Sequence, residues 1–222
     1  MPAFLKEILK KPPSILLLFF ILAFLNTTPA FFLLHRGFFI KDSITFSFII
    51  AFSAFLVMFL LPAGIIRFVF KEKLIDFGLS FPKDRQSAVK LTLIAIVILL
   101  PILFLLATLT NFQQYYLIKH KIDAFFMLEV IASFIYFFSE EFLFRGVLFF
   151  GLWDKFKFHT FWITNLVFAL LHLGKPFGEI FVAFFIGNIF SYLSFKTKSI
   201  LPAVVVHFII ALLLNIIIIF VY

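Results

Sequence analysis

Ser139-Glu140-Glu141-Phe142-Leu143-Phe144-Arg145-Gly146 lies between two largely apolar runs, Phe125–Phe138 and Val147–Trp153. A helix through this region carries two carboxylates and a guanidinium at membrane depth. On insertion scales one charged side chain at the bilayer centre costs roughly 3 kcal/mol, so three unpaired charges cost on the order of 9 kcal/mol. The cluster is therefore expected to pair internally, to face a hydrated cavity and to carry function.

Outward from that stretch the chain is apolar in long blocks. Its 222 residues are 64% hydrophobic, against about 45–50% in soluble domains. The apolar runs are continuous and near 20 residues long, which predicts an all-α, polytopic integral membrane bundle rather than a β-barrel. Seven spans are read at 14–34, 44–66, 91–111, 124–152, 159–173, 178–195 and 201–222, with six or eight left open. The fourth is too long for one straight crossing and is expected either to begin as an interfacial segment or to break near Gly146 or Gly151. Lys6, Lys10 and Lys11 before Ser14–Leu25 mimic a signal peptide, but the run resumes at Ala30–Leu34. It is read as an uncleaved span kinked at Pro29. The 40 Phe residues are read as packing and lipid-facing surface.

The net charge of +8 is read as topology, not as nucleic-acid binding. With the N-terminus inside, Lys6, Lys10, Lys11, Arg67, Lys71, Lys73, Lys83, Arg85, Lys90, Lys155, Lys157, Lys196 and Lys198 fall on the cytoplasmic side. Only Arg36, Lys41, Lys119, Lys121 and Lys175 fall outside, so the bias predicts a cytoplasmic N-terminus. The plasma membrane is the expected location, with membrane lipids as neighbours. The chain has no cysteine, which excludes disulfides and thiolate chemistry. Within the longest inside loop, Phe77–Ser80 reads as a short amphipathic stretch. Asn111–Tyr116 reads as an outer boundary.

The residues left for chemistry are few. Glu141 and Arg145 are four apart and share a helix face, so they are expected to pair. Glu140 points about 100° away and has no local cation, which suits a general base. His172 closes Phe168-Ala169-Leu170-Leu171-His172, and His207 is flanked by three apolar residues on each side. His35, His120 and His159 stand beside basic residues and are given no role. Burying the acid pair and two imidazoles around one cavity satisfies all of them at once. Two chemistries fit: Glu and His activating a water, or Glu140, His172 and His207 ligating a divalent metal such as zinc. Residue types leave both open.

Glu140-Glu141-x-x-x-Arg145, Phe168-x-x-x-His172 and His207, with flanks Phe144-Arg145-Gly146 and Gly187 through Ala203, resemble the three motifs of the CPBP (Abi) intramembrane endopeptidases. This family includes the type II CaaX prenyl endopeptidases and bacteriocin-processing proteins. The resemblance covers about residues 125–215, a four-helix core. It implies an intramembrane peptidase with Glu140 as base, His172 as its partner, Glu141 and Arg145 as supporting pair, and His207 on the oxyanion side. The substrate would be a peptide or protein, lipid-modified in the CaaX case. The family's Asn four residues after that histidine is Ala211 here, and Asn215 is the nearest stand-in. Residues 1–90 are read as N-terminal spans with a cytoplasmic loop, and 91–222 as the protease-like part of a single integral unit. The alternatives are a non-proteolytic immunity or scaffold protein on the same fold, and a proton-coupled transporter.

Overall fold

The computed structural model describes Ile15, Phe19 and residues 44–117, 126–173 and 175–221. The expected first span and its Pro29 kink, and the roles set aside for His35 and His120, lie outside these residues, apart from Ile15 and Phe19. The described chain is helical, with no β-strand among the described residues. Helix α1 runs over 44–70, α2 over Arg85–Ala107, α3 over Thr110–Leu117, and α4 over 126–156. Helix α5 is His159–Leu170, α6 is Phe177–Thr197 and α7 is Leu201–Val221.

Four stretches are long and apolar enough to cross a membrane: Ser47–Phe70, Arg85–Ala107, Phe177–Thr197 and Leu201–Ile218. In hydrocarbon each backbone polar group must bond within its own segment, which is why such runs fold as helices. Helix α2 shows its outer face plainly, with Val89, Leu93, Val97, Ile98, Phe104 and Leu105 exposed along its length. The molecule is an integral membrane helical bundle.

Several boundaries differ from the sequence reading. Helix α2 begins at Arg85, not 91, because Asp84 caps it by accepting from the Ser87 N–H at 3.0 Å. Helix α4 does not break at Gly146 or Gly151. It passes from α-helix at Phe126–Glu141 into a π-helical stretch at Phe142–Phe150, then back to α-helix at Gly151–Phe156. The wider winding begins at the residue after Glu141 and carries Arg145. Phe77 is buried at the end of a 3-10 turn, Leu74–Phe77. In α3, Phe112 is fully buried.

The loop after α1 is tied to the turn before α7. Gly78 O accepts from Ile200 N at 3.0 Å, and the Ser199 hydroxyl donates to Ser80 O. Gly78 has φ +74, and a Cβ there would sit 2.4 Å from the Phe150 ring, so the turn requires glycine. Lys71 and Lys198 end α1 and α6 in left-handed conformations, where a cation suits the negative end of the helix dipole. Helices α4, α5, α6 and α7 surround the charged cluster. Helix α2 packs along α7 and α6, while α1 backs α4 through Phe59 against Phe138 and Phe142.

Candidate active site

The acid pair sits where α4 changes winding, and the two carboxylates have different neighbours. Glu141 and Arg145 are fully buried and form the expected ion pair, Nε to Oε2 at 3.2 Å. Arg145 Nη1 also donates to Glu141 Oε1 at 3.3 Å. The guanidinium then spends its other nitrogen across the bundle. Nη2 donates to Gly187 O on α6 at 3.1 Å and to Asn165 Oδ1 on α5 at 3.3 Å. Asn165 in turn donates to Phe161 O and to Ser191 Oγ. One cation thus joins three helices, using the fork geometry that a lysine lacks.

Aromatic rings enclose this cation. The guanidinium carbon lies 4.5 Å from the Phe168 centroid, 5.2 Å from Phe190 and 5.7 Å from Phe144, distances suited to cation–π attraction. The sequence reading assigned Phe no part in the site; here Phe168 lies between Arg145 and both histidines, 4.7 Å from His172 and 6.1 Å from His207 by ring centroid. Gly187 is glycine for lack of room: a Cβ would lie 2.6 Å from Asn165 Oδ1 and 3.1 Å from Arg145 Nη2. Gly187→Ala is expected to displace both groups and cost about 1–3 kcal/mol, read as a lower unfolding temperature in detergent.

His207 reaches this network from α7. Its Nδ1 is 2.7 Å from Glu141 Oε1 and 3.7 Å from Glu140 Oε2. A carboxylate oxygen only accepts, so Nδ1 carries the proton and Nε2 is the nitrogen left for the cavity. The ring is held between Phe137, at 4.3 Å, and Phe190, at 4.9 Å. Glu141 therefore supports His207 as well as Arg145, a contact the sequence reading missed. Glu140 has the Tyr136 hydroxyl 3.4 Å from Oε1.

His172 follows the end of α5. Its Nδ1 is 2.8 Å from Phe168 O. A carbonyl cannot donate, so Nδ1 carries the proton here too and Nε2 keeps its lone pair. His172 and His207 line one cavity of about 300 Å³, together with Tyr136, Phe168, Ala211 and Asn215. Leu103 and Leu106 of α2 and Phe112 of α3 close another side, and the ion pair Lys175–Glu179, at 2.6 Å, lies in its wall. The volume is at the lower end of the range for ligand sites. Glu140, whose side chain is 11% exposed, borders two of the lining residues, Tyr136 and His207.

The ligand set expected for a metal was Glu140, His172 and His207. Among the described residues, the three side chains whose ligand atoms come within 4.8 Å of one another are Glu140, Glu141 and His207. His172 is not in that group. Within it, Glu141 and His207 are hydrogen-bonded to each other. On α6, Asn188 donates to Phe184 O on its own helix, and Ser191 belongs to the Asn165 network. Asn165 itself was missed; its signal was a lone amide in the apolar run before His172.

Residues 121–213 match the family model described as Type II CAAX prenyl endopeptidase Rce1-like. No curated protein and no solved structure matches the chain. The match bears out the family resemblance over that segment. Over that segment the chain is similar to this family of endopeptidases.

Proposed function

We propose that this chain, whose residues 121–213 match the Type II CAAX prenyl endopeptidase Rce1-like family, hydrolyses a peptide bond inside the membrane. One observation carries the reading: His172 and His207, from different helices, open on one cavity whose wall also holds Tyr136, the partner of Glu140. Glu140 accepts a proton from a water that His172 Nε2 orients. The oxygen attacks the peptide carbonyl while His207, acting as an imidazolium with a proton on Nε2 as well as on Nδ1, donates from Nε2 to the developing oxyanion. The C–N bond then breaks, and the proton held by Glu140 goes to the leaving amine. Glu141 and Arg145 keep His207 and the helix crossing in place.

The substrate proposed is a membrane-associated peptide, lipid-modified if it is of the CaaX type. The charge bias supports a cytoplasmic N-terminus. The reading takes the water route. A metal route would draw on Glu140, Glu141 and His207 and would cost the Glu141–His207 hydrogen bond. Dialysis against a chelator is therefore expected to leave the rate unchanged; loss restored by zinc would replace the water route with the metal one. A second reading, binding without cleavage, is favoured by Ala211 in place of the family's Asn and by a Glu140 that does not line the cavity.

The test is purified full-length protein in liposomes with a farnesylated CAAX peptide, in ¹⁸O-labelled water. Cleavage with one label in the new carboxylate is expected. Binding without cleavage, or equal cleavage by Glu140→Ala, overturns the proposal.

A further inference from the structure

One buried polar atom in the cavity wall has no protein partner. Asn215 lies on α7 and lines the cavity with His207 and Ala211. Its Oδ1 is buried and meets no hydrogen-bond donor among the described residues. Leu214 and Ile210 on the same helix, and Leu103 and Leu106 on α2, also line this cavity and are apolar. Thr160, Thr164 and Ser194 also have buried hydroxyls with no partner among the described residues, but none of them lines the cavity. An unpartnered buried amide destabilises the protein that carries it, unless something else satisfies it. A leucine here would be the more stable choice.

The position says what could satisfy it. His207, Ala211 and Asn215 recur every fourth residue and form one stripe down the cavity. At 1.5 Å per residue, Asn215 is about 12 Å beyond His207 along the axis. A hydrogen bond spans about 3 Å, so His207 and Asn215 cannot hold the same oxygen, and Asn215 is no stand-in for an oxyanion donor beside His207. An extended chain advances about 3.3 Å per residue, so the two positions are three to four residues apart on a bound peptide. A primary amide is complementary to a backbone peptide unit: its C=O accepts from N–H and its NH₂ donates to C=O. We infer that Asn215 grips one backbone peptide unit of the substrate, three to four residues from the bond that is cut, and so fixes the register of the peptide in the cavity. Asn215 is a positioning residue. The inference rests on the proposal that the cavity holds a peptide.

The test uses full-length protein in nanodiscs and a fluorescein-labelled, farnesylated CAAX peptide. Asn215→Leu is expected to keep or raise the unfolding temperature, to weaken Kd and KM about three- to tenfold, the scale of one hydrogen bond, and to leave kcat nearly unchanged. A series of peptides with one backbone N–H replaced by an ester oxygen is then bound to both proteins. In the native protein a single ester, three to four residues from the cut, is expected to show the same loss. In Asn215→Leu that ester is expected to have no further effect. Unchanged peptide affinity in Asn215→Leu, ester penalties equal in both proteins, a fall confined to kcat, or a lowered unfolding temperature would each overturn the register role. If the native protein binds the peptide without cleaving it, the endopeptidase reading falls while Asn215-dependent binding upholds this inference. No peptide binding at all defeats both.

Discussion

Glu140→Gln is expected to lower the cleavage rate by about 10²–10⁴-fold, the usual contribution of a positioned general base, with unchanged peptide affinity. The amide keeps the shape of the side chain and its place beside Tyr136 and His207, at 3.4 and 3.7 Å in the native protein, but cannot take a proton from water. The side chain is 11% exposed, and Glu140 is absent from the Arg145 network, so the fold should tolerate the change. Single-turnover cleavage in liposomes, with unfolding temperature measured on the same sample, separates the outcomes. A folded Glu140→Gln protein with more than about a tenth of native activity would remove Glu140 from proton transfer. Glu141→Gln should behave differently, because Glu141 is fully buried and serves both Arg145 and His207.

The second large effect is on folding. Arg145→Ala leaves Glu141 as a buried, half-compensated charge and strands Asn165 Oδ1 and Gly187 O. Breaking one side of a buried pair costs about 3–5 kcal/mol. Loss of stacking on Phe168, Phe190 and Phe144 adds to this. Low yield in the membrane fraction and early thermal unfolding are expected. Arg145→Lys should recover little of the loss, since a point ammonium cannot reach Glu141, Asn165 and Gly187 together. A well-folded but inactive Arg145→Ala would instead give the guanidinium a part in the reaction.

How much of this was legible beforehand follows from the range of the interactions. The Glu141–Arg145 pair is a one-turn relation, so spacing alone revealed it. Helix identities followed from apolar length, because hydrocarbon leaves the backbone no other choice. The π-helical winding after Glu141 was not legible: glycines at 146 and 151 suggested a break, whereas the helix runs through both, with widened turns over Phe142–Phe150. The His207–Glu141 contact spans 66 residues, and the Arg145–Gly187 bond spans 42. Neither leaves a periodic trace. Gly187 was noticed only as part of a family-like stretch; its reason, the closeness of Asn165 and Arg145, belongs to the packed state. Residue types put His172 with Glu140 and His207 as a metal set; the three-residue group whose ligand atoms lie together among the described residues is Glu140, Glu141 and His207, a proximity that depends on packing between α4 and α7.

The stretch that carries the family likeness is not self-sufficient. Leu103, Leu106 and Phe112 come before it and Asn215 after it, yet all four line the chamber. The bond from Ile200 to Gly78, and that from Ser199 to Ser80, anchor the start of α7 to a loop far outside it. A fragment trimmed to residues 121–213 would be a vessel with one side missing and its last stave unpinned, so any minimal version of this protein has to keep the segment from Leu74 onward.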